Sequence, residues 1–312
     1  MTQHRKYTVA CLAGHGIGPE LMAEACRAVT RLSVLHGFRV DEVHRPFGAE
    51  AVTQSGHALP AATRQATLGA HAILVAAAGE PALAGVESEL DLRARIDRVV
   101  YAPRGDVTVL SPLDDAALEW TMERAFEVAR GSRGRVSAVG FEMGFEALRD
   151  VGSRHDCVLV EELPVGDAVQ RLAFEPERFD VVLCPAPLAE ALVGVAASGG
   201  SSRMVASGRL ASDGPGLFAP GHGAAEDIAG QGVANPAWML LTTALMLGEG
   251  LGERRAAETL TGAVLHACAN GVRTPDMVRN GVGATTRQFA DVVLAELPFS
   301  LTNAEFYREA VA

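Results

Sequence analysis

Three shortages narrow the field before any motif is considered. No apolar stretch approaches the roughly 20 residues that a membrane-crossing helix needs, so no span is predicted. Positive charge is in deficit: 27 Lys and Arg stand against 38 Asp and Glu, a formal net charge of −11. A surface of that sign repels phosphate backbones and anionic lipid headgroups, which argues against nucleic acid or a membrane as partner. Cysteine is scarce and odd in number. Cys11, Cys26, Cys157, Cys184 and Cys268 are scattered through mostly apolar surroundings, the pattern of reduced core thiols rather than of a disulfide framework or a zinc site. The first residues, MTQHRKYTVACLAG, also lack the long apolar core and cleavage site of an export signal, so the cytoplasm is the expected compartment.

What is present describes a globular protein. With 312 residues, 48% apolar and 21% charged, the chain is long enough for one large or two ordinary domains with a sizeable core. The most informative stretch runs from Ala219 to Pro236 and reads APGHGAAEDIAGQGVANP. Its glycines and prolines rule out a long regular element and predict a loop whose backbone closely approaches something else. His222, Glu226, Asp227 and Asn235 are its polar groups. Trp238 to Leu247 then reads as a buried helix, with Asn235-Pro236 supplying a cap and a first-turn proline. A loop that feeds a helix N-terminus suits a phosphate or a ribose.

Earlier in the chain, a short apolar strand from Tyr7 to Ala13 leads through Gly14-His15-Gly16-Ile17-Gly18-Pro19-Glu20 into a helix from Leu21 to Leu35. The turn is not a dinucleotide fingerprint of the G-x-G-x-x-G type, because Pro19 stands where a glycine is required. Ala72 to Val75 is a second buried strand. Alternation of strands and helices predicts an α/β domain with a largely parallel sheet, completed after the loop by helical stretches at Arg254 to Gly271 and Thr286 to Leu297.

The loop closely resembles the nucleotide-binding loop of the isocitrate and isopropylmalate dehydrogenase family, the β-decarboxylating dehydrogenases. That loop runs roughly HG(S/T)APDIAG followed by G(I/V)ANP, and residues 222–230 and 232–236 match it, with Glu226 in place of the family's proline. The opening turn resembles the family's GDGIGPE with His15 in place of the acid, and Gly56 to Pro60 resembles its G-x-x-LP turn. The resemblance implies an α/β, isopropylmalate dehydrogenase-like two-domain fold with a central cleft. The dinucleotide-side domain is expected to be discontinuous, about 1–98 and 201–312, and 99–200 to form the substrate-side and dimerisation domain of a homodimer. It implies NAD as cofactor: His222, Gly223 and Asn235 would meet the adenosine portion, and Gly79 would lie near the nicotinamide. Asp227 would face the ribose hydroxyls, where its charge opposes the 2′-phosphate of NADP.

The family's metal and proton-transfer groups are another matter. In the register set by Leu172, Pro176 and Phe179-Asp180-Val181-Val182, its three metal-binding aspartates fall on Gly166, Ala189 and Val193, its lysine on Phe141, and its tyrosine in a shortened segment before the helix Ala116 to Ala129. Of its three arginines only Arg93 matches cleanly; the second falls on Pro103, beside Arg104. No metal site is therefore expected, and no catalytic residue is assigned. Arg93 and Arg104 are the candidate groups for a small anionic substrate, although the alternation of Arg93, Arg95, Arg98 and Arg104 with Asp91, Asp97 and Asp106 reads equally as a charge-laced exposed face. Glu142, Glu146, Glu161, Glu162, Asp167 and Glu190 would be the raw material of a replacement acidic site, or simply solvated carboxylates. His15 reads as a substitute acid/base group or as a cap. Cys184 has no base or cation beside it in sequence, which makes it a core residue. Leu188 to Ala197 is too apolar to face water, which supports the homodimer.

Two function classes follow. One is an NAD-dependent oxidoreductase acting on a small hydroxy acid by a different, metal-free chemistry; the other is a catalytically degenerate relative serving as a regulatory or partner-binding subunit. An enzyme of another reaction class using the same cleft is a third.

Overall fold

The computed structural model describes residues 5–77, 81–101, 105–141, 145–198, 203–278 and 281–297. They divide into two compact units. The first comprises residues 1–91, 206–208 and 213–312, the second 92–205 and 209–212.

In the first unit β1 (Arg5–Leu12) leads through the glycine turn into α1 (Gly18–His36) and back into β2 (Phe38–His44). Pro19 in the first turn has no N–H to strand, and Gly37 closes the helix in the left-handed region at φ 69°. After α2 (Ala49–Ser55) and α3 (Ala61–Leu68), β3 (Ala72–Val75) is buried along its whole length, as befits a parallel strand covered on both faces. β1 pairs in parallel with β2 on one side and β3 on the other. α4 (Pro81–Glu87) ends this part of the chain.

The second unit opens with a hairpin, β4 (Leu92–Tyr101) against β5 (Gly105–Pro112), antiparallel from Ala94↔Pro112 to Tyr101↔Gly105. The expected boundary at 98/99 falls inside β4, whose continuous register keeps the strand whole within the second unit. There follow α5 (Leu118–Arg130), β6 (Arg135–Val139), α6 (Phe145–Gly152), β7 (Leu159–Leu163), α7 (Val165–Phe174), β8 (Val181–Leu183) and α8 (Ala186–Ala197). Strands run in the order β4-β5-β8-β6-β7, parallel except for the hairpin. Its core is built on Ile96, Val109, Leu110, Phe126, Val136, Phe179 and Leu183, all buried.

β9 (Arg203–Ala211) carries the chain back, and β10 (Gly216–Phe218) pairs in parallel with β3. The loop 219–236 then feeds α9 (Ala237–Leu245), which is apolar and buried all round except at Trp238, the mark of a central helix. It ends in a π-turn, Met246–Gly250, followed by α10 (Arg254–Ala269) and a helix over 286–297, α11. α1, α9 and α10 pack together in the first unit.

α8 overturns one step of the sequence argument. Ala189, Leu192, Val193 and Ala196 are buried within the unit, and the outward positions are Pro187, Glu190, Ala191 and Gly194. Leu192 and Val193 are covered, Leu188 and Val195 are half-buried, and Ala186, Pro187 and Ala191 are exposed, so less apolar surface remains for a partner than the sequence alone suggests, and the homodimer expectation rests chiefly on the family resemblance.

Candidate functional site

The loop from Ala219 to Pro236 is docked on the first turn of the chain through backbone. Ile17 N–H donates to the Ala224 carbonyl at 2.8 Å. Gly16, at φ 64°, lies so close that a Cβ there would fall 2.0 Å from the Ala224 oxygen, so only glycine fits. On the loop side Ala225 takes φ 38°, the one non-glycine residue with positive φ among the described residues, and turns the chain into a short 3-10 helix at Glu226–Ile228. Further ties hold the loop's end: Glu20 Oε2 accepts the Gly232 N–H at 3.2 Å, and Thr286 donates its N–H to the Gly232 carbonyl at 2.8 Å and its hydroxyl to the Ala234 carbonyl at 2.7 Å.

His15 and Glu226, two of the departures from the family pattern in these segments, meet: His15 Nε2 lies 2.8 Å from Glu226 Oε1. Neither the acid/base reading nor the cap reading of His15 contained this pair. Its signal was in the sequence, since both residues depart from the motif in segments that must touch, but only the fold brings positions 211 apart into contact.

His222 holds the most informative atom of the loop. Its Nδ1 lies 3.1 Å from the Gly223 carbonyl, and its Nε2 is buried with no hydrogen-bond partner. A carbonyl only accepts, so the ring proton sits on Nδ1 and Nε2 presents a lone pair. Burial depresses the ring's pKa, against a smaller opposing effect of the backbone carbonyls, so the imidazole is held neutral. The site therefore offers one unspent acceptor. Asp227 is exposed, Gly223 has open space where a Cβ would project, and Asp227's carbonyl accepts the Gln231 amide at 2.8 Å. Asn235 is occupied at both ends: Oδ1 accepts the Ala237 N–H at 3.0 Å, capping α9, and Nδ2 donates to Asp276 Oδ2 at 3.1 Å. The cap is thus present as expected, but Pro236 occupies the boundary position rather than the first turn. Gly79 lies outside the described residues.

In the second unit the arginines are engaged along the hairpin. Arg95 Nε donates to Asp97 Oδ2 at 2.5 Å, Arg98 pairs with Asp106, and Arg93 Nε donates to the Ser212 hydroxyl at 3.2 Å. Asp97 is wholly buried, which corrects the picture of a uniformly exposed charged face. An anion binding at Arg95 or Arg98 would have to displace a carboxylate; Arg93 has a neutral hydroxyl at that bond. Arg104 lies outside the described residues.

A cavity of about 560 Å³ opens at the carboxyl ends of β5, β6 and β8, where ligands of parallel sheets characteristically bind. Leu113, Asp114, Leu118, Phe141, Pro185 and Pro187 are among its lining residues. Phe141 is buried; Asp114 caps the turn before α5 by accepting the Ala117 N–H at 2.8 Å. Ala189 and Val193 are buried, Gly166 is exposed on α7 with nothing near it, and Asp167 and Glu190 point to solvent. Glu161 accepts the Ser137 hydroxyl at 2.7 Å, Glu146 and Glu162 are exposed, and Glu142 lies outside the described residues. Among the described residues these carboxylates do not converge in a group of three. The chain contains a single lysine, Lys6, which is on β1 and pairs with Asp41 at 2.7 Å. Cys184 is buried in the core, as expected, and burial pushes its thiol up to about 12.

Fold and loop together define a two-unit α/β protein of the dehydrogenase kind. The model of the isocitrate/isopropylmalate dehydrogenase family matches residues 8–139 and 142–293. A 3-isopropylmalate dehydrogenase of Prochlorococcus marinus (strain MIT 9313) is 32% identical over 90% of this chain and 95% of its own length. That of Pseudoalteromonas translucida (strain TAC 125) is 30% identical over 93% and 99%. Among solved structures, a β-decarboxylating dehydrogenase from Thermococcus kodakarensis superposes with a TM-score of 0.81 at 22% identity, covering 96% of this chain and 98% of that one. The chain belongs to the isocitrate/isopropylmalate dehydrogenase family.

Proposed function

We propose that this protein is an NAD-dependent oxidoreductase of its family that acts on a small hydroxy acid without the family's metal-dependent chemistry. The observation that carries the nucleotide half is the buried, unpartnered Nε2 of His222, an acceptor that a hydroxyl or amino group of an adenosine would satisfy. Asp227, further along the same loop, exposed and anionic, would accept ribose hydroxyls and repel a 2′-phosphate. NAD, when bound, supplies the hydride acceptor.

The metal half rests on the donor set. Gly166, Ala189 and Val193 bring no oxygen to the positions that the resemblance assigns to a hard cation, and such cations take oxygen ligands. With its one lysine paired on β1, the chain has no lysine for the second unit either. The resemblance makes Arg93 and Arg104 the candidates to orient a substrate carboxylate. The second reading, a regulatory or partner-binding subunit, is favoured by one observation: among the described residues, the charged groups lining the cavity are Asp114 and Asp115, acids that disfavour an anionic substrate.

Calorimetric titration with NAD, with and without magnesium, tests the proposal alongside turnover assays on isopropylmalate and isocitrate. Binding of NAD that ignores the cation, and no oxidation of either acid, is the expected result. Metal-dependent turnover of either acid would overturn the donor-set argument. Failure to bind NAD at millimolar concentration would put the partner-binding reading ahead.

A further inference from the structure

Along the sequence Cys11 and Cys26 are separate thiols in apolar surroundings. The fold brings them together with His44: the two sulfurs and an imidazole nitrogen all lie within 4.8 Å of one another. Three elements of the first unit converge to make the cluster. Cys11 is near the end of β1, His44 is the last residue of β2 and its direct partner in the parallel register, and Cys26 projects from α1. Two residues before His44, and therefore on the same face of β2, stands Glu42. Its Oε2 lies 3.3 Å from His44 Nε2, and its carboxylate neighbours the Cys26 thiol.

Burial is graded across the group, with Cys11 buried, Cys26 half-buried and His44 exposed, so the cluster has an inner wall and an open side through which an ion can enter. Two thiols and an imidazole form a three-donor set, with a fourth position for water, suited to a borderline or soft cation and not to magnesium or calcium, which require oxygen; Glu42 stands beside His44, outside the mutually close group. Tetrahedral zinc holds sulfur at about 2.3 Å and nitrogen at about 2.0 Å, which sets its donors roughly 3.5 to 3.8 Å apart. From a separation of at most 4.8 Å, closure on an ion takes roughly an ångström of side-chain movement.

We propose that Cys11, Cys26 and His44, with water as the fourth ligand, bind one zinc-like divalent cation that ties the edge strand β2 and helix α1 to β1. On binding, the two thiols release their protons to solvent and the thiolates donate to the ion; no electron changes hands. This site lies in the first unit and is independent of the nucleotide reading.

The full-length chain, reduced and stripped with chelator, should take up one equivalent of Zn²⁺ in a competition titration. Co²⁺ should give thiolate-to-metal charge-transfer absorption and the visible bands of tetrahedral coordination. Cys26→Ser should abolish the charge-transfer band attributable to that sulfur and weaken binding by about 10-fold or more, as should His44→Ala. His44 is exposed, so its variant keeps the fold, and wild-type but not His44→Ala protein should gain thermal stability on adding zinc. Cys157→Ser, an exposed thiol outside the cluster, should change nothing. Absence of the charge-transfer band, a titration unaffected by both Cys26→Ser and His44→Ala, or a native Cys11–Cys26 disulfide in thiol counting and intact mass would overturn the proposal.

Discussion

The loop of the first unit and the second unit set the residues that differ from the resembled motifs in opposite surroundings. At the loop, two residues that differ from the motif face one another, His15 and Glu226, beside the backbone contact of Ile17 with Ala224. In the second unit Phe141, Ala189 and Val193, the positions onto which the resemblance places a lysine and two metal-binding aspartates, are buried apolar groups. A polar change answered by a polar partner preserves a surface that can still bind. A polar group replaced by hydrocarbon and packed inside stabilises its unit through burial and leaves no donor or acceptor for a ligand.

The contrast is sharpest where a polar group serves structure alone. Asp180 is 4% exposed; its Oδ2 accepts the Arg133 and Arg135 N–H groups at 2.9 and 3.1 Å, and its Oδ1 faces Arg133 Nε at 3.7 Å. Asp180→Ala leaves the Arg133 and Arg135 backbone N–H groups without their acceptor and removes one partner of the Arg133 guanidinium, which keeps the Asp106 and Phe179 carbonyls, and we expect it to cost roughly 3 kcal/mol in urea unfolding. NAD affinity at 25 °C should be unchanged by it, provided the protein is still folded. A loss below about 1 kcal/mol would show that water replaces the carboxylate easily.

Asp227→Lys sharpens the other side. It replaces repulsion of a 2′-phosphate with a charge-assisted hydrogen bond worth about 1 to 3 kcal/mol, so relative affinity should move towards NADP by roughly 5- to 150-fold. Calorimetry with the two nucleotides measures the ratio. An unchanged ratio would mean that position 227 does not face the ribose.

The smallest expected effect concerns His222. Burial lowers its folded pKa below the unfolded value of about 6.5, so at mildly acid pH the unfolded chain binds more protons than the folded one. Stability is therefore lost as pH falls through about 6.5 towards the depressed folded value, and is fully present above that window. His222→Gln should remove part of that slope in thermal midpoints measured across the window. The other part remains, because burial also depresses His36. Identical slopes in wild type and variant would mean that the His222 ring is more hydrated than its buried Nε2 indicates.

Much of the fold could be read from the chain because its determinants are local or strongly patterned. The run Ala72–Val75 could only be a buried parallel strand, the glycine turn before α1 and the apolar helix after the loop declared themselves by residue type, and the loop's long motif carried the family. Sequence also supplied the residue identities at the loop and at positions 141, 166, 189 and 193, and with them the chemistry that is and is not available there. It could not supply the partners. That His15 meets Glu226, that Asn235 is spent on α9 and Asp276, that His222 keeps one unspent nitrogen, and that Cys11, Cys26 and His44 share a few ångströms were all decided by tertiary structure. The physical reason is range. Helix periodicity, turn geometry and burial pattern act within a few residues along the chain, whereas hydrogen bonds and metal ligation act within a few ångströms in space, and only the folded sheet and its helices bring distant residues that close.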